Sequence, residues 1–290
     1  MNPDPILSIA LPVTLFCIMF GMGTALTPEH FRLLLRQPRA IAVGMLSQML
    51  LLPLLAWGLL ALFELPPELF VGFMILALAP GGTTSNAFSY QAGGNLALSV
   101  ALTAIVSLLV PLTIPLIAAP LIESRLGIEA AIALPFGPTL IKLVLVGLLP
   151  VLLGMWLRHL RPGFCLRREA WLTRLPLAML LAVIAGIIAN AWSRMPDYLS
   201  MTGAPALVLS TAALAVGYGW ARLMGQDRRN TRTIAIETAI QNGGTAIFVT
   251  GRLLHQPGMT VAPVMYGILM LVPVFAWLLL LRLRPLEVTA

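Results

Sequence analysis

The chain has few charged side chains. Only 10% of its 290 residues are Asp, Glu, Lys or Arg, whereas hydrophobic residues make up 59% and the mean hydropathy is +0.94. A soluble domain carries about 25% charged residues. The polar side chains are too few to cover a surface in water, which excludes a soluble globular protein and predicts a chain that lies in a lipid bilayer.

Residues that bind metals or carry out catalysis are also scarce. The sequence has three histidines and two cysteines, Cys17 in an apolar stretch and Cys165 in a basic loop. It contains no CxxC, HExxH or GxSxG motif and no paired carboxylates. We therefore expect no disulfide, no cofactor and no enzymatic activity.

Nine apolar segments approach the length of about 20 residues that a helix needs to cross a membrane. We expect an all-α membrane protein with one polytopic domain over residues 1–290, because no polar stretch is long enough to be a linker. The sixth and eighth segments are short. In order, the predicted spans are Ile6–Leu26, Ala40–Leu62, Leu69–Tyr90, Leu96–Leu121, Leu140–Leu157, Leu177–Trp192, Ala206–Leu223, Ile234–Phe248 and Val261–Leu281.

The arginines are distributed unevenly between the loops. Fourteen of them follow the first, fifth, seventh and ninth spans, and three lie in the alternate loops. Because Lys and Arg accumulate on the cytoplasmic side, this predicts a cytoplasmic C-terminus and an outside N-terminus in the cell inner membrane. The net charge of +7 is then mostly a signal of topology. Nucleic-acid binding is disfavoured, since no aromatic residues interleave with the charges.

Two spans contain runs of helix-breaking and polar residues. The third includes residues 80–86 (PGGTTSN), and the eighth includes residues 237–244 (ETAIQNGG). Proline and glycine disfavour a helix interior, and freed backbone groups in a membrane need protein or a water-filled cavity beside them. Two interrupted helices in inverted halves indicate a transporter's binding site. Close packing through Gly-Gly pairs is the alternative, but it leaves the polar residues unexplained.

Glu237 is the one acidic residue inside a predicted span. An acidic group at the centre of a membrane helix costs about 2.5–3.5 kcal/mol, so it needs a cation, a proton or a basic side chain as a partner. Apart from Arg222 at the cytoplasmic end of the seventh span, Lys142, near the outer start of the fifth, is the one base within a span. Lys142 could instead extend to the interface, and Glu237 could serve a structural ion pair or stay protonated.

Other oxygen-bearing side chains lie in neighbouring spans. Glu237 and Gln241 are four residues apart and would share a helix face if the helix continued, and Ser99 and Thr103 have the same spacing. Gln48 is a lone amide in the second span. Carboxylate, amide and hydroxyl oxygens suit a hard cation. Helix packing or bonding to the backbone is the alternative for the two hydroxyls.

Four motifs together resemble the bile acid:sodium symporter family. They are residues 19–23, 79–86, 95–103 and 236–242, and the similarity extends over essentially the whole chain. Since the third and eighth of the nine predicted spans are interrupted and run in opposite directions, we expect an inverted-repeat transporter. The resemblance implies that these two broken helices cross. It also implies a core of spans two to four and seven to nine, a panel formed by the others, and substrate in the cleft between them.

The resemblance implies two sodium sites near the crossing. The first would consist of Ser85, Asn86, Ser99, Thr103 and Glu237. The second would consist of Gln48, Glu237, Gln241 and the backbone carbonyls of Thr238 and Ile240.

Thr83 and Asn242 are the candidate contacts for the substrate. The expected function is sodium-coupled symport of a small organic anion such as a bile acid, a pantoate-like compound or a keto acid. Tyr266 stands where similar transporters can place an asparagine, which disfavours bile acids. The expected partners are sodium, this anion and membrane lipid, with no protein partner implied. A proton-coupled carrier using Glu237 and an ion channel are the alternatives.

Overall fold

The computed structural model describes residues 9–27, 32, 36–127, 135–254 and 256–283, which form helices and their connections with no β-strand in these ranges. In chain order the helices are α1 Leu11–Ala25, α2 Pro38–Phe63, α3 Pro67–Ala77, α4 Thr83–Gln91, α5 Leu96–Leu126, α6 Phe136–Leu160, α7 Pro162–Arg167, α8 Glu169–Asn190, α9 Trp192–Leu223, α10 Arg228–Ala239, α11 Gly243–Ile247, and α12 Gly258–Leu281. A π-helical turn, Phe248–Leu253, extends α11.

Six of these helices are long and apolar enough to cross a membrane, namely α2, α5, α6, α8, α9 and α12. They correspond to six of the nine predicted spans and confirm a helical multi-pass membrane protein. The sixth predicted span starts at Leu177, but α8 starts at Glu169. The helix therefore begins before its apolar stretch and includes Arg174, so the apolar stretch alone placed its start too late. The predicted start of the first span, Ile6, lies outside the described residues.

Both predicted interruptions are present, and each is shorter than the polar run that predicted it. The chain is non-helical between Ala77 and Thr83 and again between Ala239 and Gly243. Residues 83–86, expected within the first interruption, instead form the first turn of α4. The Ser85 hydroxyl accepts a hydrogen bond from the backbone N–H of Gly82 at 3.2 Å. A side chain at the third helical position that accepts from the N-cap N–H makes one of the two bonds of a capping box, which stabilises the start of a helix.

The two interruptions contact each other. The backbone N–H of Asn242 donates to the carbonyl oxygen of Pro80 at 2.8 Å. Around this bond α4 packs against α10, and α3 packs against α11 and its π-helical extension. The first half of each interrupted helix therefore lies beside the second half of the other, so the two helices run in opposite directions through the crossing.

The remaining helices form two groups around this crossing. In one group α1 packs against α6 and α8. Gly154 allows α6 to approach α1 closely, since a side chain there would overlap the carbonyl oxygen of Phe20. In the other group α9 packs against α2, α10 and α12, and α5 packs against α3, α4 and α10. The interrupted helices belong to the second group and face the first across a cavity.

Candidate functional site

A cluster of oxygen atoms surrounds the carboxylate of Glu237 in the last turn of α10, where this side chain is 1% exposed. The Ser99 hydroxyl donates to one carboxylate oxygen, and the Thr103 hydroxyl donates to the other at 3.0 Å. Oδ1 of Asn86 lies 2.8 Å from the Ser99 hydroxyl and 3.3 Å from the Thr103 hydroxyl. Three helices therefore supply oxygens to one buried cluster.

Gly81 brings the first interruption against this cluster. A Cβ atom at Gly81 would lie 3.1 Å from the Ser85 hydroxyl and 3.2 Å from the Thr103 hydroxyl, and it would overlap a carboxylate oxygen of Glu237. The structure thus brings together all five side chains of the first predicted set, Ser85, Asn86, Ser99, Thr103 and Glu237. The close approach requires a residue without a side chain at position 81.

The cluster has more close oxygen–oxygen contacts than it has protons to form hydrogen bonds across them. Ser99 and Thr103 each carry one hydroxyl proton, yet each hydroxyl lies within hydrogen-bonding distance of both Glu237 and Oδ1 of Asn86. With Glu237 ionised and Asn86 in this orientation, two oxygen pairs have no hydrogen between them. A positive charge placed among these oxygens would offset their mutual repulsion, so the chemistry of the donor set fits a cation.

Gln241 does not share a helix face with Glu237, contrary to the interpretation of their spacing. The helix ends at Ala239, and Gln241 folds back so that its Nε2 donates to the carbonyl oxygens of Glu237 and Thr238, each at 3.0 Å. The last carbonyls of a helix have no partner within the helix. The Gln241 amide supplies partners that the interrupted backbone lacks.

Gln48 is buried in a π-helical turn of α2, Ser47–Leu51. Neither its Oε1 nor its Nε2 has a hydrogen-bond partner, and Oε1 of Gln241 is likewise unpaired. The adjacent Ser47 hydroxyl lies 2.7 Å from the Thr238 hydroxyl, which places this turn beside the end of α10. Buried polar atoms without partners are rare, and π-helical turns are frequent at functional sites.

The second predicted set is therefore only partly assembled. The Thr238 carbonyl and Gln241 contact each other, Gln48 lies on the turn that packs against α10, and no hydrogen bond joins Gln48 to Gln241. Ile240 lies in the second interruption and lines the neighbouring cavity.

Tyr266 has a role that the sequence did not indicate. Its hydroxyl donates to the carbonyl oxygen of Ala239 at 2.9 Å, and the side chain is 1% exposed. Tyr266 is not among the described residues that line the cavity beside the crossing. Together with Gln241, it pairs the carbonyl oxygens of residues 237–239. The sequence indicates only the general rule that a tyrosine buried in an apolar helix usually finds a hydrogen-bond partner, and not which partner it is.

Lys142 is separated from Glu237. It is an exposed residue of α6 and lines another cavity together with Arg252. Among the described contacts of the Glu237 carboxylate, the hydrogen-bond donors are hydroxyl groups. The structure therefore gives no support to an ion pair between these two residues.

A cavity of about 290 Å³ adjoins the crossing and is lined by both candidate substrate contacts, Thr83 and Asn242. The two interruptions form one wall. The facing wall is apolar and consists of Ile18, Leu177, Leu180, Leu181 and Ile184 from α1 and α8.

The polar wall of this cavity presents hydrogen-bond donors. Helix α4 begins at it, and the first N–H groups of a helix lack partners within the helix and carry partial positive charge. Helix α11 also begins there, but the N–H group of Gly243 is already paired with the carbonyl oxygen of Gln241. Oδ1 of Asn242 accepts from the backbone N–H of Thr245 at 3.2 Å, while Nδ2 of Asn242 has no partner. No charged side chain occurs among the described lining residues. Donors on one wall and hydrocarbon on the other suit an anion with an apolar body.

A helical membrane protein in which two oppositely directed, interrupted helices meet beside a cavity has the architecture of secondary transporters. Comparison with known proteins makes the assignment specific. The profile of the Sodium Bile acid symporter family matches residues 12–195. The chain belongs to this family, as the four sequence motifs predicted.

Individual relatives match over most of the chain. The sodium-dependent transporter YocS of Bacillus subtilis (strain 168) is 31% identical over 244 residues, which cover 82% of this chain and 72% of YocS. The ileal sodium/bile acid cotransporter of Homo sapiens is 31% identical over 244 residues, covering 82% of this chain and 67% of that protein. A chloroplastic protein of Arabidopsis thaliana, named "Probable sodium/metabolite cotransporter BASS1", is 29% identical over 256 residues, covering 87% of this chain and 61% of its own length.

Replacing Tyr266 with Phe tests the hydrogen bond at the end of α10. The change removes the hydroxyl that donates to Ala239 and leaves a buried carbonyl without a partner. We expect a loss of about 1–2 kcal/mol in the free energy of unfolding, measured by thermal unfolding in detergent. Tyr218→Phe is the control, because that side chain is 43% exposed. Equal melting temperatures for the two variants would contradict the role assigned to Tyr266.

Proposed function

We propose that the protein is a sodium-coupled symporter that carries a small organic anion across the cell inner membrane. The observation that carries this proposal is the oxygen cluster around Glu237, which lies at the crossing of two interrupted helices and beside a cavity lined by hydrogen-bond donors. The names of the three relatives, all of which refer to sodium, support the same coupling ion.

The cluster around Glu237 is the first proposed sodium site, and it takes the side-chain oxygens of Ser85, Asn86, Ser99, Thr103 and Glu237. The second takes oxygens of Gln48 and Gln241, together with Glu237 and the carbonyls of Thr238 and Ile240. Rotating the Gln241 amide by half a turn would direct Oε1 at the carbonyls that now accept from Nε2. Three oxygens facing one another would then require a cation to hold them together.

Sodium and substrate are coupled through the crossing. Gln241 belongs to the second proposed sodium site, and the adjacent Asn242 lines the cavity and bonds through its backbone to Pro80. Sodium bound at the end of α10 would fix the positions from which α4 and α11 begin. The donors offered to the anion are the N–H groups at the start of α4 and Nδ2 of Asn242. Each ligand therefore raises the affinity for the other, as thermodynamic reciprocity requires.

The cavity favours a compact substrate. Its volume of about 290 Å³ is near the lower end of the range of ~300–1,000 Å³ found for small-molecule sites. We propose a monocarboxylate with a short apolar body, such as a pantoate-like or keto-acid compound, in preference to a bile acid.

The proposed topology has nine spans within one domain over residues 1–290, with the N-terminus outside and the C-terminus in the cytoplasm. The group of α1, α6 and α8 is the panel, and the group that contains the crossing is the core. The opposite directions of the interrupted helices support inverted halves, and the accumulation of arginine in alternate loops supports the orientation.

Uptake into proteoliposomes tests this function. An inward sodium gradient at constant pH is expected to drive accumulation of at least one radiolabelled anion from a panel of bile acids, pantoate and keto acids. Glu237→Gln removes the charge and keeps the shape, so we expect it to abolish the dependence on sodium. Uptake that follows a pH gradient and ignores sodium would show proton coupling instead, and electrical conductance without accumulation would indicate a channel.

Gly81→Ala tests the first sodium site. The added methyl group would enter the space among Glu237, Ser85 and Thr103. We expect the variant to lose the rise in melting temperature that sodium produces in the wild-type protein, because binding to the native state stabilises by mass action. Gly82→Ala is the matched control, since its Cβ would meet no atom closer than 3.9 Å. A full sodium response in Gly81→Ala would place the ion elsewhere.

Asn242→Asp tests the anion site. The aspartate keeps the oxygen that caps Thr245 and replaces the buried, unpaired Nδ2 donor with a negatively charged oxygen in a residue that lines the cavity. We expect the KM for the anion to rise at least about 100-fold, which corresponds to ~2.7 kcal/mol of lost hydrogen bonding and added repulsion. Sodium-dependent stabilisation measured without substrate is expected to persist. An unchanged KM would show that the anion binds away from Asn242.

A further inference from the structure

The connection between α4 and α5, residues 92–95, is held against α10 by hydrogen bonds. The backbone N–H of Asn95 donates to the Thr233 hydroxyl at 2.8 Å, and Nδ2 of Asn95 donates to Oδ1 of Asn230 at 2.8 Å. Nη1 of Arg232 donates to the carbonyl oxygen of Ala92 at 2.8 Å. Three residues within about one turn of α10 therefore hold this short connection.

These contacts lie one helical turn from the oxygen cluster on both helices. Asn95 caps α5, where its Oδ1 accepts from the backbone N–H of Leu98 at 3.2 Å, and it precedes Ser99 by four residues. Thr233 precedes Glu237 by four residues. Because residues four apart lie on the same side of a helix, the Asn95–Thr233 and Ser99–Glu237 contacts are successive links between the same two helices.

The link through Thr233 is buried and closely packed. Thr233 is 0% exposed and Asn230 is 8% exposed. A Cβ atom at Gly94 would lie 2.6 Å from the Thr233 hydroxyl and 2.8 Å from the carbonyl oxygen of Ser89, so only glycine allows this approach. A shift of α5 along α10 would break several buried or partly buried hydrogen bonds at once, which fixes one register between the helices.

We propose that Asn95 and Thr233 are positioning residues that set the register of α5 against α10 and thereby hold Ser99 and Thr103 at hydrogen-bonding distance from Glu237. Neither residue belongs to either proposed sodium site. Their effect on sodium affinity acts through the geometry of the cluster one turn away. This inference rests on the proposed sodium coupling and names the contacts that tune it.

The test compares Thr233→Val with Thr233→Ser. Valine keeps the branched shape and removes the hydroxyl, whereas serine keeps the hydroxyl. For Thr233→Val we expect the sodium concentration that gives half-maximal uptake to rise about tenfold, the equivalent of ~1.4 kcal/mol, with the maximal rate at saturating sodium retained. For Thr233→Ser we expect a value close to wild type. Uptake is measured in proteoliposomes and normalised to the folded protein incorporated.

Two further variants separate positioning from mere stability. Thr231→Val removes a buried hydroxyl from the same helix, one that bonds locally to the carbonyl oxygen of Gln226 at 3.2 Å, and it is expected to lower the melting temperature without changing sodium dependence. Asn95→Asp keeps the helix cap and loses the donor to Asn230. Like Thr233→Val, it is expected to raise the sodium concentration that gives half-maximal uptake. It tests the positioning role if Thr233→Val yields too little folded protein.

The proposal is wrong if Thr233→Val and Asn95→Asp behave like Thr231→Val, with lower melting temperatures and unchanged half-saturation by sodium. Failure of the proposed function has a different signature, because wild-type uptake would then be independent of sodium.

Discussion

Burial of the Glu237 carboxylate sets the constraint around which this bundle is arranged. A carboxylate at the centre of a membrane helix costs about 2.5–3.5 kcal/mol unless neighbouring groups stabilise it. Its hydrogen-bond donors come from Ser99 and Thr103 on α5, and the first interruption approaches it at Gly81, a position with no side chain. The helices that provide these groups are distant in sequence, so the carboxylate is satisfied only when α4, α5 and α10 are packed together.

The interruption that follows Glu237 serves two chemical needs. On one side of it, the carbonyl oxygens that end α10 are paired by Gln241 and Tyr266. On the other side, α11 begins at the cavity, and Asn242, which lines this cavity, has an unpaired Nδ2 donor. Within a few residues the chain passes from oxygens that suit a cation to donors that suit an anion. If both proposed sites are correct, this short separation explains how occupancy of one would affect the other.

Local sequence signals predicted the parts of this site that depend on local chemistry. Proline and paired glycines within apolar runs predicted the interruptions, and Glu237 was evident as the one acid inside a span. Spacing was less reliable, because the helix ends at Ala239 and Gln241 folds back on it. Six of the nine spans correspond to long apolar helices, and the count of nine stays a prediction.

Tertiary contacts could not be predicted in the same way. The hydrogen bond from Tyr266 to Ala239 and the bonds between Asn95 and α10 join residues far apart in the chain, and neither partner carries a local pattern that identifies the other. A tyrosine in an apolar helix and an asparagine after two glycines are ordinary features until the fold brings their partners beside them.

The hydrogen bond between the interruptions has a consequence for the two halves of the protein. Residues 80–83 read Pro-Gly-Gly-Thr and residues 242–245 read Asn-Gly-Gly-Thr, so the bond from Asn242 to Pro80 joins equivalent positions of the proposed inverted halves. Two identical halves would exchange a reciprocal pair of bonds about a two-fold axis. Proline has no N–H, so the bond runs in one direction only. In a perfectly symmetrical carrier the inward-facing and outward-facing states would be equal in free energy, and under the proposed transport function this one-way bond is one contact that would make them differ.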